Sequence, residues 1–375
     1  MTIDDQLELI AAWQRTLRPW GFTSFFAQQL DELLDGGGNP DELIPGRIVR
    51  EHRGVRLLIT PHGEVEARTK GGLRYRTEAT HELPAIGDWV LATRTLREGE
   101  LAHIVAVFDR TSRFLRKVAG SRTEAQVVAA NLDHVFVVMG LDGDYNPRRL
   151  ERFLVTARES GADPVIVLNK SDLASDLEAQ VAETGAIAGD TPIHVTAAKR
   201  GEGLESLWQY LDPGNTVALV GSSGAGKSTL VNTLFGKRVM ETAEVREGDD
   251  RGRHTTTHRE LIRLPNGALL IDNPGIRELQ LWDADGGLDA TFEDISELAG
   301  ACRFRDCRHV DEPGCAVVAA VESGALPTKR LSSYHKMVAE LEALERRQET
   351  AAKLEEKRKW RTIHKAARKH KPRSM

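Results

Sequence analysis

Residues 221–228 read Gly-Ser-Ser-Gly-Ala-Gly-Lys-Ser, a full match to G-x-x-x-x-G-K-[ST]. Glycines at these positions let the backbone bend so that successive N–H groups face an anion. A helix starting at the lysine adds positive potential at the same point. Lys227 then reaches β- and γ-phosphates, and Ser228 holds Mg²⁺. Gly221, Ser222, Ser223, Gly224, Ala225, Gly226 and Thr229 complete the expected cradle. Further along, Asp272-Asn-Pro-Gly275 offers a carboxylate for the Mg²⁺ shell and a glycine amide for the γ-phosphate. On its own Asn-Pro-Gly is also a good turn; downstream of a phosphate loop it reads as chemistry. A second cluster is Cys302-x4-Cys307-x-His309-x5-Cys315. Three thiolates and one imidazole can close a tetrahedral zinc site with no open position, which is structural rather than catalytic.

Asn169-Lys170-Ser171-Asp172 resembles the N-K-x-D base-recognition motif of GTP-binding proteins. A carboxylate at Asp172 can accept from both N1–H and the 2-amino group of guanine, donors that adenine lacks. A site built to bond those donors rejects a base without them. Thr196-Ala197-Ala198-Lys199 resembles the loop whose backbone amide meets guanine O6. Each alone could be a turn at a strand end. With the phosphate loop they favour GTP over ATP.

These loops need strand ends to hold them. His134–Met139, Pro164–Leu168, Ile193–Thr196 and Val217–Val220 read as strands, with Arg148–Ser160 and Leu204–Leu211 as helices between them. Such alternation predicts a doubly wound sheet of parallel strands. Glu260–Leu264 and Ala268–Asp272 flank Pro265-Asn266-Gly267, a hairpin turn. The motif order is permuted: the base-recognition loops at 169 and 196 precede the phosphate loop at 221. The boundaries expected are a helical extension at 1–44, a β-barrel at 45–112, a permuted nucleotide domain at 113–285, a zinc-binding helical domain at 286–352 and a basic tail at 353–375. The barrel rests on five short alternating segments, beginning at Gly46, Val55, Gly63, Asp88 and Leu101. Lys70, Arg74 and Arg76 around Gly71-Gly72 make either a nucleic-acid-facing loop or an ordinary solvated one. In 5–34, Leu7, Ile10, Trp13, Leu17, Phe22, Phe25, Phe26 and Leu30 recur with helical spacing and are expected to pack on the body. After Pro327, Leu331, Tyr334, Val338, Leu341 and Leu344 mark one side of a long helix.

The chain has 375 residues, 40% hydrophobic and 29% charged, which excludes collagen-like and wholly disordered classes. No apolar run approaches the roughly 18 residues of a membrane helix. The N-terminus has no basic region leading into an apolar one, so a cytoplasmic location with no membrane partner is expected. Three cysteines gathered within one short segment suit a metal in a reducing compartment, not a disulfide framework. Residues 353–375 hold ten Lys/Arg against two Glu, so a net −5 chain carries +8 in its tail. Either the tail meets a polyanion, nucleic acid before membrane, or it is solvated.

The permuted motif order, the barrel and the C-x4-C-x-H-x5-C spacing together resemble the ribosome small-subunit-dependent GTPase A family. The resemblance runs from about residue 45 to the end; the long helical extension and the strongly basic tail are less typical of it. It implies an OB-fold barrel, a permuted P-loop GTPase domain and a zinc module in one multidomain α/β chain. It also implies GTP hydrolysis stimulated by the 30S subunit during late maturation, with 16S rRNA and GTP/GDP as partners. One structural Zn²⁺, Mg²⁺ with GTP, and a monomer are expected. Arg253-His254-Thr255-Thr256-Thr257 resembles the family's switch segment. One threonine completes the Mg²⁺ shell, Thr256 in preference to Thr255. Many GTPases carry a water-orienting Gln just after D-x-x-G; here that position is Ile276. His254 is then the candidate to orient the water, against the plainer reading of a solvated loop histidine. Two rivals stand beside this: a non-catalytic RNA-binding checkpoint that senses GTP versus GDP, and an ATP-dependent nucleic-acid enzyme, which Asn169 and Asp172 argue against.

Overall fold

A computed structural model describes residues 3–36, 39–52, 54–71, 83–94, 100–117, 125–236, 259–272, 285–343 and 346. The segment with helical spacing forms α1 (Ile3–Leu17), a 3-10 turn (Arg18–Trp20) and α2 (Ser24–Asp35). Trp13, Leu17, Phe22, Phe26 and Leu30 are buried against Trp89, Leu91 and Phe108 of the barrel. Phe22 meets Trp89 edge-on at 4.7 Å. Phe25 departs from the expected pattern: it faces outward, 43% exposed, because its neighbour Phe26 takes the inward turn of the helix.

Five strands close the barrel: β1 (Leu43–His52), β2 (Val55–Thr60), β3 (Gly63–Thr69), β4 (Trp89–Thr93) and β5 (Ala102–Val107). They pair in the order β1-β2-β3-β5-β4, and β1–β4 pairing shuts the ring. Only β3–β5 is parallel among these pairs. Alternate side chains point inward, so Ile48, Leu58, Ala67, Val90 and Ile104 fill the interior. Lys70 follows β3; Arg74 and Arg76 lie outside the described residues, as do Leu344 and the tail.

A hairpin, β6 (Arg113–Lys117) and β7 (Ala125–Ala130), leads into the nucleotide domain. Its sheet contains β8 (His134–Gly140), β9 (Asp163–Asn169), β10 (Ile193–Val195), β11 (Thr216–Val220), β12 (Arg259–Arg263) and β13 (Leu269–Asp272), in the order β10-β9-β8-β11-β13-β12. All pairs are parallel except the β12–β13 hairpin. The helices are α3 (Pro147–Glu159), α4 (Leu177–Ala188) and α5 (Lys227–Leu234). Residues Leu204–Tyr210 wind as a 3-10 helix, not the α-helix expected; Gly203 before it is held at φ 73°. The β1 strand also pairs with β12, so barrel and nucleotide domain share one 11-stranded sheet. A register shift between Ile48 and Arg50 bends β1 from one body into the other.

The C-terminal module has α6 (Asp285–Thr291), α7 (Glu293–Ala299), α8 (Ala316–Glu322) and α9 (328–343). Phe292, Ile295, Val317, Leu326, Leu331 and Met337 form its core, joined by Val155 from α3. Tyr334 and Leu341 pack on it as the spacing predicts. No described helix is long and apolar enough to cross a membrane.

Candidate functional site

The phosphate loop leaves β11 and enters α5, the strand-to-helix context the motif requires. Two of its glycines are obligatory on geometry. A Cβ at Gly221 would sit 2.1 Å from the Val138 carbonyl oxygen, and one at Gly226 2.3 Å from Nδ2 of Asn169. Both also have positive φ, 143° and 91°. Lys227 opens α5 and donates Nζ to the carbonyl oxygens of Gly221 at 2.8 Å and Ser222 at 2.6 Å. The ammonium therefore lies curled within the loop that is to hold phosphate. Ser228 follows in the first turn of α5, and Asp272 closes β13. Strands β11 and β13 are parallel neighbours, so the loop that leads to Ser228 and the end of β13 that carries Asp272 lie at the same, C-terminal end of the sheet. Thr229 lies on the same first turn of α5.

Asn169 is the tie between base and phosphate loops. It is 2% exposed. Its Nδ2 donates to Ala225 O at 2.9 Å, and its Oδ1 accepts from Thr196 Oγ1 at 3.1 Å and Ala198 N at 3.0 Å. All three expected nucleotide loops thus meet on one side chain. The Ala197 amide donates to Glu202 O at 3.0 Å. Amide contact with a base carbonyl from Ala197 or Ala198 would have to share those bonds. Ser171 N bonds Thr196 O at 3.1 Å, and Asp172 pairs with Arg200 at 3.3 Å with its own side chain 13% exposed.

One loop that sequence reasoning passed over also enters the site. After β8, Asp142 accepts from Lys170 Nζ at 2.5 Å. Asp144 accepts from Ser222 Oγ and from Arg149 at 2.7 Å. Partial burial pushes both carboxyls up, but Lys170 for Asp142, and Ser222 with Arg149 for Asp144, more than offset it and hold them below the usual range. Two acids just past a buried strand, Asp142-Gly-Asp144, were the available signal. His254, Thr255, Thr256, Gly275 and Ile276 lie outside the described residues.

Cys302, Cys307, His309 and Cys315 converge, their donor atoms all within 4.8 Å of one another. Sγ of Cys302 lies 3.9 Å from Sγ of Cys315, and His309 Nδ1 lies 3.6 and 3.4 Å from these two. Donor spacings of this size match the edges of a tetrahedron about Zn²⁺ at roughly 2.3 Å from sulfur. His309 takes φ 59°, which turns its ring inward. Burial lowers the His309 pKa and favours the neutral imidazole that binds metal. Burial pushes the Cys302 thiol up, but the amides of Ala316 and Val317 and the Cys315 and Cys307 side chains outweigh it, while burial and the Cys315 and Cys302 side chains push the Cys307 thiol up to about 11. Glu312, also not anticipated, accepts the amides of Arg308 at 2.9 Å and Val310 at 3.0 Å. These bonds hold its carboxyl at about 2 and shape the turn between ligands.

A base-recognition loop that precedes the phosphate loop, joined to a closed five-strand barrel and a Cys₃His module, defines a circularly permuted GTPase. A sequence model of the RsgA GTPase family matches residues 107–282. One described as a 50S ribosome-binding GTPase matches 216–354, starting at the strand before the phosphate loop. A small ribosomal subunit biogenesis GTPase RsgA of Opitutus terrae is 43% identical over 361 residues, 94% of this chain and 97% of the relative. One from Oceanobacillus iheyensis is 46% identical, over 84% of this chain and 90% of the relative. The crystal structure of YjeQ from Thermotoga maritima superposes with TM-score 0.59 at 28% identity, over 80% of this chain and 98% of that one. That of YloQ, a circularly permuted GTPase, does so at 0.58 and 23% identity over 80% and 96%, a likeness of fold. The chain belongs to the RsgA family of small ribosomal subunit biogenesis GTPases and is a GTP hydrolase.

Proposed function

We propose that this chain binds the small (30S) ribosomal subunit as a cytoplasmic monomer and hydrolyses GTP there in late maturation, the subunit stimulating hydrolysis. The observation that carries the nucleotide assignment is Asn169, whose three bonds hold the 169, 196 and 221 loops against one another. The family supports the ribosomal partner.

Asp172 selects guanine by accepting two base donors at once. Lys227 leaves the Gly221 and Ser222 carbonyls for the β- and γ-phosphate oxygens, while loop amides and the start of α5 hold the remaining charge. Ser228, Asp272 and Thr256, or Thr255 in its place, would hold Mg²⁺, which when bound neutralises charge on the β,γ-oxygens. Water attacks the γ-phosphorus in line. Ile276 offers that water no polar group, so His254 orients it. Cys302, Cys307, His309 and Cys315 would hold one Zn²⁺ that stabilises the C-terminal module. The basic tail meets 16S rRNA through charge.

The test is the GTPase rate with and without purified small subunits, for the full chain and for His254→Ala. Stimulation in the former, lost in the latter with GTP binding kept, is expected. A wild-type rate indifferent to subunits would leave the rival reading, a GTP-sensing checkpoint without stimulated turnover.

A further inference from the structure

We propose that Asp142 is a positioning residue for the guanine nucleotide: its carboxylate fixes Lys170 as a rigid wall between the base-recognition loop and the phosphate loop. The inference rests on the assignment of these loops to GTP. Lys170 sits in the left-handed region at φ 63°, a conformation that disfavours a side chain with a Cβ by about 1–2 kcal/mol. That backbone turn directs its stem toward the phosphate loop. A Cβ placed on Gly226 would lie 3.9 Å from Lys170 Cε, so the methylene chain runs beside the loop and not out into water. The ammonium at its tip ends on Asp142 at 2.5 Å.

Asp142 is itself held. Its other oxygen accepts the Asp144 amide at 3.2 Å. The preceding Leu141 amide donates to Asn169 O at 2.8 Å. Asp144 locks the far end of the same loop to Ser222 and Arg149. The loop after β8 is therefore anchored on the base side through Asn169 and on the phosphate side through Ser222, with Asp142 between. Gly140 permits this approach: a Cβ there would fall 2.8 Å from Asp142 Oδ1.

A lysine has four rotatable side-chain bonds, and fixing them when ligand arrives opposes binding. Holding Lys170 in place beforehand removes that penalty from the binding step. The lysine stem supplies an apolar surface for the flat face of a purine, not a charge. The ligand class this serves is the nucleoside half of a guanine nucleotide, and inorganic pyrophosphate should be indifferent to it.

Dissociation of a fluorescent GDP and competition by inorganic pyrophosphate would be measured on the full-length protein, on Asp142→Asn, Asp142→Glu, Lys170→Met and the Asp142→Asn/Lys170→Met pair. GDP should leave Asp142→Asn about two- to fivefold faster, the upper part of the range for an ion pair near the surface, here with about a quarter of each side chain exposed. Pyrophosphate affinity should stay unchanged, and Asp142→Glu should recover part of the loss. The double variant should be no faster than Lys170→Met alone, because both remove one coupled unit. Wild-type GDP release from Asp142→Asn, additive losses in the pair, or an equal loss of pyrophosphate would each overturn the positioning role. A wild-type chain that binds pyrophosphate but no GDP would instead overturn the guanine assignment itself.

Discussion

The barrel meets the nucleotide-binding sheet through backbone: Arg50 and Glu51 of β1 stand opposite Glu260 and Arg259 of β12. The metal module meets the same domain through side chains. There Arg330, 7% exposed, bonds Glu151 of α3 at 3.2 Å, Asp294 at 2.9 Å and Thr291 O at 2.6 Å, over the Phe292 ring. A buried arginine also braces the barrel seam, but with neutral partners. Arg47 donates to Gly87 O at 3.2 Å, Asn131 O at 3.0 Å, Thr216 Oγ1 at 2.9 Å and to Trp20 O. Burial pulls its guanidinium down to about 10, still charged at neutral pH. The barrel is thus built into the sheet, while the module is clasped to it.

The largest effect should come from metal removal. Chelation of the proposed Zn²⁺, or Cys307→Ser, should withdraw a binding free energy on the order of 10 kcal/mol that is also folding free energy for the module. A clasped module should unfold alone, so GDP binding should survive while a separate, lower thermal transition appears. Loss of GDP affinity together with the module would show that the two bodies fold as one.

Arg330→Met should come next, destabilising by about 3–5 kcal/mol at neutral pH, because it strands a buried carboxylate. Burial already raises the Glu151 carboxyl above its usual range, though Arg330 pulls it down. Without Arg330 the rise is greater, and the folded state then favours the protonated acid. The deficit should therefore be smallest below the unfolded pKa and grow as pH rises through the folded one. A deficit that is constant across denaturation curves from about pH 4 to 8 would mean Glu151 is not the stranded group. Arg47→Met should cost somewhat less, about 2–4 kcal/mol, from carbonyls left without a donor. Its deficit should vary less over the same pH range, since those acceptors do not titrate and the carboxylates that act on the guanidinium, Asp133 and Asp88, do so through space and not as its hydrogen-bond partners. An equal slope there would show that charge, not neutral hydrogen bonding, holds the barrel seam as well.

How far these features could be read in advance follows from the range of their signals. The phosphate loop, the Asn169–Asp172 loop and the cysteine cluster are local spacings, each complete within a few residues. The barrel strands showed as alternation, and β1's closure needed only that pattern. Helix α4 (Leu177–Ala188) did not show, because its alanines and glycine give no clear apolar face; its one cue was Asp176, whose side chain caps the Ala179 amide at 3.0 Å. The 113–130 hairpin is interrupted by a polar stretch that hides its pairing. Arg47 and Arg330 look like any of the other arginines until burial singles them out. Asp142 and Asp144 act on partners 28 and 78 positions away, a separation no spacing rule spans. Local chemistry was legible and the ties between bodies were not.

The smallest effect tests the barrel seam at its surface. Arg50 and Glu260 pair across β1 and β12 with 47% and 34% of their side chains exposed. An ion pair in that setting gains little, since water screens it and two long side chains lose freedom; measured values fall around 0.2–1 kcal/mol. Glu260→Gln keeps the length, the strand and the backbone hydrogen bonds, and removes only the charge. If the seam is a backbone seam, unfolding free energy should fall by about 1 kcal/mol at most, and the difference should shrink further at high salt. Subunit-stimulated GTP turnover should be unchanged, because strand pairing still anchors β12. A loss well beyond 1 kcal/mol, or one that persists at high salt, would mean that the side chains and not the ladder hold β12 to the barrel. The contrast between a built-in barrel and a clasped module would then fail at its first term.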